Sequence, residues 1–297
     1  MGMRIRTNVP SLIAQRNMEQ NNSNVSTSME RLSTGYRINR SADDAAGLAI
    51  SENLRAQIRG LNVAKRNAND AVSMVQVAEG SMNEMTNILI RLRELTVQSA
   101  SDTLGARERS YLNREYGELV HEFDRIGKAT EFNGNHIFTS GDDRDEFVIQ
   151  VGTNGSSPEA NLDTVSINLS GLRTLTLEGL QLSRGDEIGP SVVEAGETQE
   201  PTRDQIASKL TLIDDGLTNL ANERATLGSI QSRLTSAISN IGVTVENQEM
   251  TKSRVKDIDF ASESAALTQN RILVQSTLSM LAQANQMPEM ALSLLRP

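Results

Sequence analysis

The chain has 297 residues, a net charge of −9, no Cys, no Trp and 3 % aromatic residues. The absence of thiols excludes disulfides, thiol catalysis and thiolate metal sites, and so few aromatics argue against the core of a large globular enzyme. Residues 1–141 carry 17 basic and 16 acidic side chains, residues 142–200 carry 3 and 12, and residues 201–297 carry 9 and 10, so the surplus is central and no basic stripe offers itself to nucleic acid.

The opening stretch, MGMRIRTNVPSLIAQRNMEQ, lacks an apolar core and a small-residue cleavage site, so it does not read as a secretory signal. No apolar run approaches the roughly 18 residues of a membrane span, and no membrane insertion is expected. Residues 3–34 scatter Ile5, Val9, Leu12, Ile13, Val25, Met29 and Leu32 among Asn, Ser and Gln. So dilute an apolar face is expected to order only against a partner. Gly35 marks the end of this first helix, and Ser41 with Asp44 resembles a capping box opening the next, with Asp43 favourable to its dipole.

No proline falls between Pro10 and Pro158 or between Pro201 and Pro288, which leaves room for very long helices. Leu61, Ala64, Ala68, Ala71, Val75, Ala78, Met82, Met85, Leu89 and Leu92 recur at 3-4 spacing, a coiled-coil-like seam sustained over four heptads. The methionines of this run, and Met74 beside them, read as adaptable packing. A further helix at about 106–128 keeps the period with Leu112, Tyr116, Leu119, Phe123 and Ile126.

The period then drops to 2. Phe147, Ile149 and Val151, then Val165, Ile167 and Leu169, then Leu175 and Leu177 alternate with polar residues. Turns at Thr153-Asn154-Gly155, Ser170-Gly171 and Glu178-Gly179 separate them, which reads as short hairpins. The acidic stretch 183–201 reads as an exposed loop. Ile206, Leu210, Ile213, Leu217, Leu220, Leu227, Leu234, Ile238, Ile241 and Val245 restore the heptad, interrupted by Arg224 and Gln231, polar residues of the kind that fix register. The end, 258–296, again dilutes Ile258, Leu267, Val274, Leu278, Leu281, Leu292 and Leu295 among Ala, Ser and Gln.

Little here suits catalysis or cofactors. His121 and His136 are the only histidines and lack a second His at helical spacing. Asp142, Asp143, Asp145 and Glu146 cluster without the spacing of a calcium loop, so no metal is expected. Basic charge rests on 24 Arg against 5 Lys, which is either an interface preference or a compositional bias.

Several motifs resemble the bacterial flagellin family, the filament subunits of flagella. They are Asn8-Val9-Pro10-Ser11-Leu12, LSTGYRINRSADDAAGLAIS (32–51), RLRELTVQSA (91–100) and TEFNG (130–134), then VKDIDFASESA (255–265), SMLAQANQMP (279–288) and LSLLR (292–296). Residues 141–200 carry no family signature, and Pro297 extends past the family's usual ending.

The resemblance implies a mainly α fold: a long coiled-coil-like bundle of the N- and C-terminal arms, with a small β-hairpin region in the middle. It implies a terminal inner-tube domain (1–44 and 255–297), a bundle core domain (45–140 and 201–254) and a short variable outer region (141–200). The implied function is a non-enzymatic, exported subunit that polymerises into a helical filament for motility, its termini ordering at the growing tip. Leu12, Leu32, Leu278, Leu281 and Leu295 would serve inner-tube assembly. Leu61, Val75, Leu89, Leu92, Leu217, Leu234 and Ile241 would form the bundle seam.

Implied partners are copies of the chain itself, a secretion chaperone at the C-terminal segment, and filament cap and hook-junction proteins. An animal Toll-like receptor is a further implied partner through Arg91, Leu95, Gln98 and Glu115, residues that alternatively serve lateral packing. Competing expectations are a hook-filament junction protein and a soluble coiled-coil adaptor. The short middle, with no His between residues 141 and 200, argues against an inserted enzyme.

Overall fold

The computed structural model describes residues 7–138, 146–153, 163–168, 170–173, 188, 191–192, 198–199 and 203–293. Among these, six helices and three antiparallel strand pairs follow in the order α1 (Val9–Thr34), α2 (Ala45–Ser99), α3 (Ala106–Ala129), β1 (Glu131–Phe132), β2 (Asn135–His136), β3 (Glu146–Gln150), β4 (Thr164–Asn168), α4 (Ser170–Arg173), β5 (Ser191–Val192), β6 (Thr198–Gln199), α5 (Arg203–Lys256) and α6 (Phe260–Ser293). The mainly α expectation holds. Ile5, Asp142, Asp143, Asp145, Leu169, Leu175, Leu177, Leu295 and the turns at 154–155 and 178–179 lie outside the described residues.

The helix ends follow local chemistry. The Asn8 side chain accepts from the Ser11 N–H at 3.2 Å, and Pro10 occupies the first turn of α1, where no intrahelical donor is needed. Gly35 ends α1 in the left-handed region at φ 75°, its N–H donating to the Arg31 carbonyl. The expected capping box at Ser41 does not form. Asp43 Oδ2 accepts the Asn39 and Arg40 N–H groups at 3.1 and 3.0 Å, which closes a turn over 39–43. Asp44 caps α2 instead, its Oδ1 accepting from the Gly47 N–H at 2.9 Å.

Contacts divide the chain into residues 59–245 and the two flanks, 1–58 with 246–297. In the central unit all ten positions of the first heptad, Leu61 to Leu92, are buried. Most of them join Tyr116, Val120 and Phe123 of α3 and Ile213, Leu220, Leu227 and Leu234 of α5 in one core, while Leu61 and Ala64 pack with Ile241. Full burial of each Leu or Phe is worth about 1.5–3 kcal/mol, which makes this the stable part of the chain. Arg93 Nε donates to Asp214 Oδ1 at 2.7 Å, tying α2 to α5.

The hairpins close against this core. Asn133 and Gly134, at φ 52° and 78°, form the two-residue loop between β1 and β2. Phe147 and Ile149 of β3 lie opposite Ile167 and Val165 of β4 and pack inward. Two expectations fail here. Ser170-Gly171 is the start of the short helix α4, because the Asn168 side chain accepts from the Ser170 N–H at 2.9 Å and begins a helical turn. The stretch 183–201 is not wholly an exposed loop. Ile188 is buried in the core, with its N–H donating to Asn113 Oδ1 and its carbonyl accepting from Ser99 Oγ. A single Ile among Gly and acidic residues has no periodicity to announce it.

In the flanking unit, the connector after α1 is zipped to the connector after α5. Tyr36 and Asp257 form an antiparallel bridge. The Arg37 N–H donates to the Lys256 carbonyl at 2.7 Å, and the Ile258 N–H donates to the Gly35 carbonyl at 3.1 Å. Lys256 Nζ lies 5.0 Å above the Tyr36 ring and 3.3 Å from Glu52 Oε1. That hydrogen bond holds the Glu52 carboxyl below its ordinary value, and the Arg40 and Asn39 N–H groups do the same for Asp43.

Candidate assembly surface

The two terminal helices pair through residues the sequence disguises. On α1 the buried or half-buried positions include Ser11, Ala14, Met18, Asn21, Val25, Ser28 and Leu32; on α6 they include Glu263, Leu267, Asn270, Val274, Thr277, Leu281 and Ala284. Both sets keep 3-4 spacing, the signature of a coiled-coil seam. Asn8 Nδ2 donates to the Ala284 carbonyl (2.8 Å), Ser11 Oγ to Asn285 Oδ1 (2.9 Å) and Asn21 Nδ2 to Thr277 Oγ1 (3.2 Å), and Arg31 lies 4.0 Å from Glu263. Low numbers meet high ones, so the pair is antiparallel.

Ser11, Asn21, Ser28, Asn270 and Thr277 therefore share with Met18, Val25, Leu32, Leu267, Val274 and Leu281 a seam that a stable isolated coiled coil fills with Leu and Ile throughout. Such polar residues set register at a cost in stability. Other large apolar side chains point away from the seam. Val9, Leu12 and Ile13 on α1, and Ile272, Leu273, Leu278, Met280 and Met287 on α6, are exposed. On α1 the three lie at i, i+3 and i+4, across the helix from Ser11, Ala14 and Ser28. On α6, Leu273, Met280 and Met287 recur every seven residues and line one side. Large apolar side chains exposed in this number mark an interaction site.

The expected inner-tube residues thus fall into two groups. Leu12 and Leu278 are exposed, Leu32 and Leu281 are half-buried in the seam, and Leu295 lies outside the described residues. Of the bundle seam, Leu61, Val75, Leu89, Leu92, Leu234 and Ile241 are buried and Leu217 is half-buried. The seam also extends past both ends of the expected heptads. Gly47, Ser51, Leu54 and Ile58 continue it on α2, and Gln248, Lys252 and Val255 continue it on α5. Gln248 Nε2 donates to Gln57 Oε1 at 3.2 Å. Beyond the unit boundaries at 58/59 and 245/246 the seam mixes polar Ser51, Gln248 and Lys252 with apolar Leu54, Ile58 and Val255.

Arg91, Gln98 and Glu115 are exposed, and Arg91 donates twice to Glu115 Oε1, at 2.9 and 2.6 Å. Leu95, by contrast, is fully buried in the bundle core. It cannot form part of a surface with the other three unless the bundle opens. His121 and His136 are both exposed. A cavity of about 370 Å³ between α2 and α3 is lined by Ser81, Glu84, Glu122, Arg125 and Thr130. Its polar groups are spent on one another: Glu122 grips Arg125 at 2.6–2.7 Å, and Thr130 donates to Ser81. Among the described residues no cluster of side chains could hold a metal ion, and no helix is long and apolar enough to cross a membrane.

Comparison with known proteins gives this arrangement a context. Residues 5–142 match the model of the bacterial flagellin N-terminal helical region, and residues 210–295 match that of the C-terminal helical region. The chain is 40% identical over 294 residues to a flagellin of Halalkalibacterium halodurans, covering 99% of this chain and all of that one. It is 38% identical over 300 residues to the flagellar filament 33 kDa core protein of Treponema phagedenis, with 99% and 100% coverage. A solved flagellar hook-associated protein from Vibrio parahaemolyticus shares the fold, with a TM-score of 0.56 over 72% of this chain and all of that one, at 14% identity.

Proposed function

The chain belongs to the bacterial flagellin family, and we propose that it is an exported structural subunit, not an enzyme, that polymerises into the flagellar filament. The observation that carries this reading is the terminal pair, which leaves Val9, Leu12, Ile13, Ile272, Leu273, Leu278, Met280 and Met287 exposed while Ser, Asn and Thr share the seam between the helices with Val and Leu residues. A second copy of the chain covers that surface, and repeating a non-closing contact builds a helical polymer. The hook-filament junction protein is the weaker reading, because the full-length relatives are filament proteins. An adaptor does not account for the apolar face of α1 and α6.

In this reading α1 and α6 form the inner tube, and residues 141–200 belong to the outer surface of the filament. The acidic surplus of 142–200 then keeps neighbouring filaments apart, while the nearly neutral arms stack without net repulsion. The weak polar seam leaves the termini free to order on assembly. A secretion chaperone takes the C-terminal segment before export, and cap and hook-junction proteins bound the filament. Arg91, Gln98 and Glu115 are the residues available to an animal Toll-like receptor on the free subunit, and to lateral packing in the polymer.

Deleting residues 258–297 tests the reading. The truncated chain is expected to remain helical and soluble and to stay in the supernatant under conditions that pellet the full chain. Pelletable filaments from the truncated chain would refute it.

A further inference from the structure

The chain holds eleven methionines and no cysteine, so every sulfur it carries is a thioether. Six of the described ones matter here. Met74, Met82 and Met85 are buried in the bundle core. On the terminal helices, Met280 is 65% exposed, Met29 45% and Met287 42%. Met280 and Met287 lie seven residues apart, in the stripe begun by Leu273. Without a thiol to intercept it, a peroxide reaching the free chain has open access to these sulfurs, as it has to Met250 on α5, which is 45% exposed.

We propose that Met280, Met287 and Met29 are oxidation sites through which a hydroperoxide turns off assembly of the free chain. The thioether sulfur attacks the terminal peroxide oxygen. The O–O bond breaks and an S–O bond forms, giving methionine sulfoxide and, from hydrogen peroxide, water. Sulfur loses two electrons and the peroxide gains them. The product is polar where the assembly face is apolar, so the sulfoxide opposes the burial that the unmodified side chain favours. Oxidation at Met280 and Met287 together raises the critical concentration for assembly at least about tenfold. Two thiols return the sulfoxide to the thioether, with release of water and formation of one disulfide, when a sulfoxide reductase is present. Burial in the filament shields the same sulfurs, so the sensitivity belongs to the unassembled chain.

The proposal rests on the assembly role of α1 and α6, and the experiment separates the two. Full-length chain is treated with hydrogen peroxide, mapped by peptide mass spectrometry and tested for pelletable filaments. Three variants run in parallel: a triple Met29→Leu, Met280→Leu, Met287→Leu chain, Met250→Leu, and untreated Leu273→Asp. The expected result is sulfoxide at Met29, Met280 and Met287 but not at Met82 or Met85. Assembly is lost in the wild type and in Met250→Leu, retained by the treated triple variant, and regained by the oxidised wild type after reductase and dithiothreitol. Oxidised wild type that assembles at an unchanged critical concentration would overturn the proposal, as would a triple variant equally disabled by peroxide. If untreated Leu273→Asp assembles normally, the assembly face itself is misplaced. If Leu273→Asp fails while the oxidised chain assembles, only the oxidation proposal falls.

Discussion

Leu278→Ala separates the two roles that apolar side chains play in this protein. Leu278 is 50% exposed on α6, so about half of its surface is already covered within one chain. Full burial of a Leu is worth about 1.5–3 kcal/mol, which leaves about 0.8–1.5 kcal/mol for a neighbouring copy to supply. Truncation to Ala forfeits most of that remainder and raises the critical concentration about 4- to 12-fold. Leu278→Asp adds the cost of desolvating a carboxylate and raises it at least about a further tenfold. Neither change disturbs the bundle core. Leu92, with no exposed surface in that core, is the opposite case: Leu92→Ala removes about 2–5 kcal/mol from the folded state. The assay pairs thermal unfolding by circular dichroism with pelleting across a concentration series. Leu278→Ala is expected to keep the wild-type Tm and to assemble only above the raised critical concentration, and Leu92→Ala to lose Tm. An unchanged critical concentration for Leu278→Ala, or a fall in its Tm matching that of Leu92→Ala, would refute the assignment of Leu278 to contact between copies.

Three further outcomes follow from the flanking unit. Asp44→Ala removes the side chain that caps α2 and is expected to cost about 0.5–2 kcal/mol, read as faster hydrogen exchange over 45–48 with Met82 and Met85 still protected. Replacing both Asn21 and Thr277, which bond across the seam, with Leu is expected to stabilise the α1–α6 pair in the single chain but loosen its register. Thermal melting of the terminal helices and disulfide trapping of introduced cysteines at shifted registers measure the two effects; a single trapped register would contradict the second. Asp43 and Glu52 both have depressed carboxyl values. Their contributions are therefore fully present above the ordinary values of 3.8 and 4.5 and are lost as pH falls through the lower folded values. Protection from hydrogen exchange at 35–40 and 255–258, taken relative to the intrinsic rate at each pH, should be unchanged down to about pH 5 and fall in more acid solution, with Glu52→Gln removing the part carried by Lys256.

The long apolar heptads were legible because burial on one face of a long helix imposes a period that composition cannot hide. All ten positions from Leu61 to Leu92 are buried. The α1–α6 seam was not legible, because Ser11, Asn21, Ser28, Asn270 and Thr277 occupy positions where an apolar pattern is sought. Searching for small and hydroxyl or amide residues at 3-4 spacing, alongside Val25, Leu32, Leu267 and Leu281, would have found it. The same reasoning explains why the second heptad reads short at Val245, since the seam goes on through Gln248 and Lys252; before Leu61 it goes on through apolar Ile58 and Leu54, which were legible, and only then through Ser51. Leu95 illustrates the reverse error. A motif places it beside Arg91 and Gln98, while its own helical phase, three residues after Leu92, puts it in the core. Ile188 carried no signal at all, since its burial depends on Asn113 and Ser99, which are remote in sequence.

The most direct test is an electron-microscopic reconstruction, at side-chain resolution, of filaments assembled from the purified full chain. The expected result is a tube whose inner wall is the α1–α6 pair, with Leu12, Ile13, Leu278 and Met280 buried against neighbouring copies and the seam from Ser11 to Leu32 still facing α6. Filaments in which those apolar side chains remain open to solvent, or in which α1 and α6 have parted to pair with other helices, would contradict it.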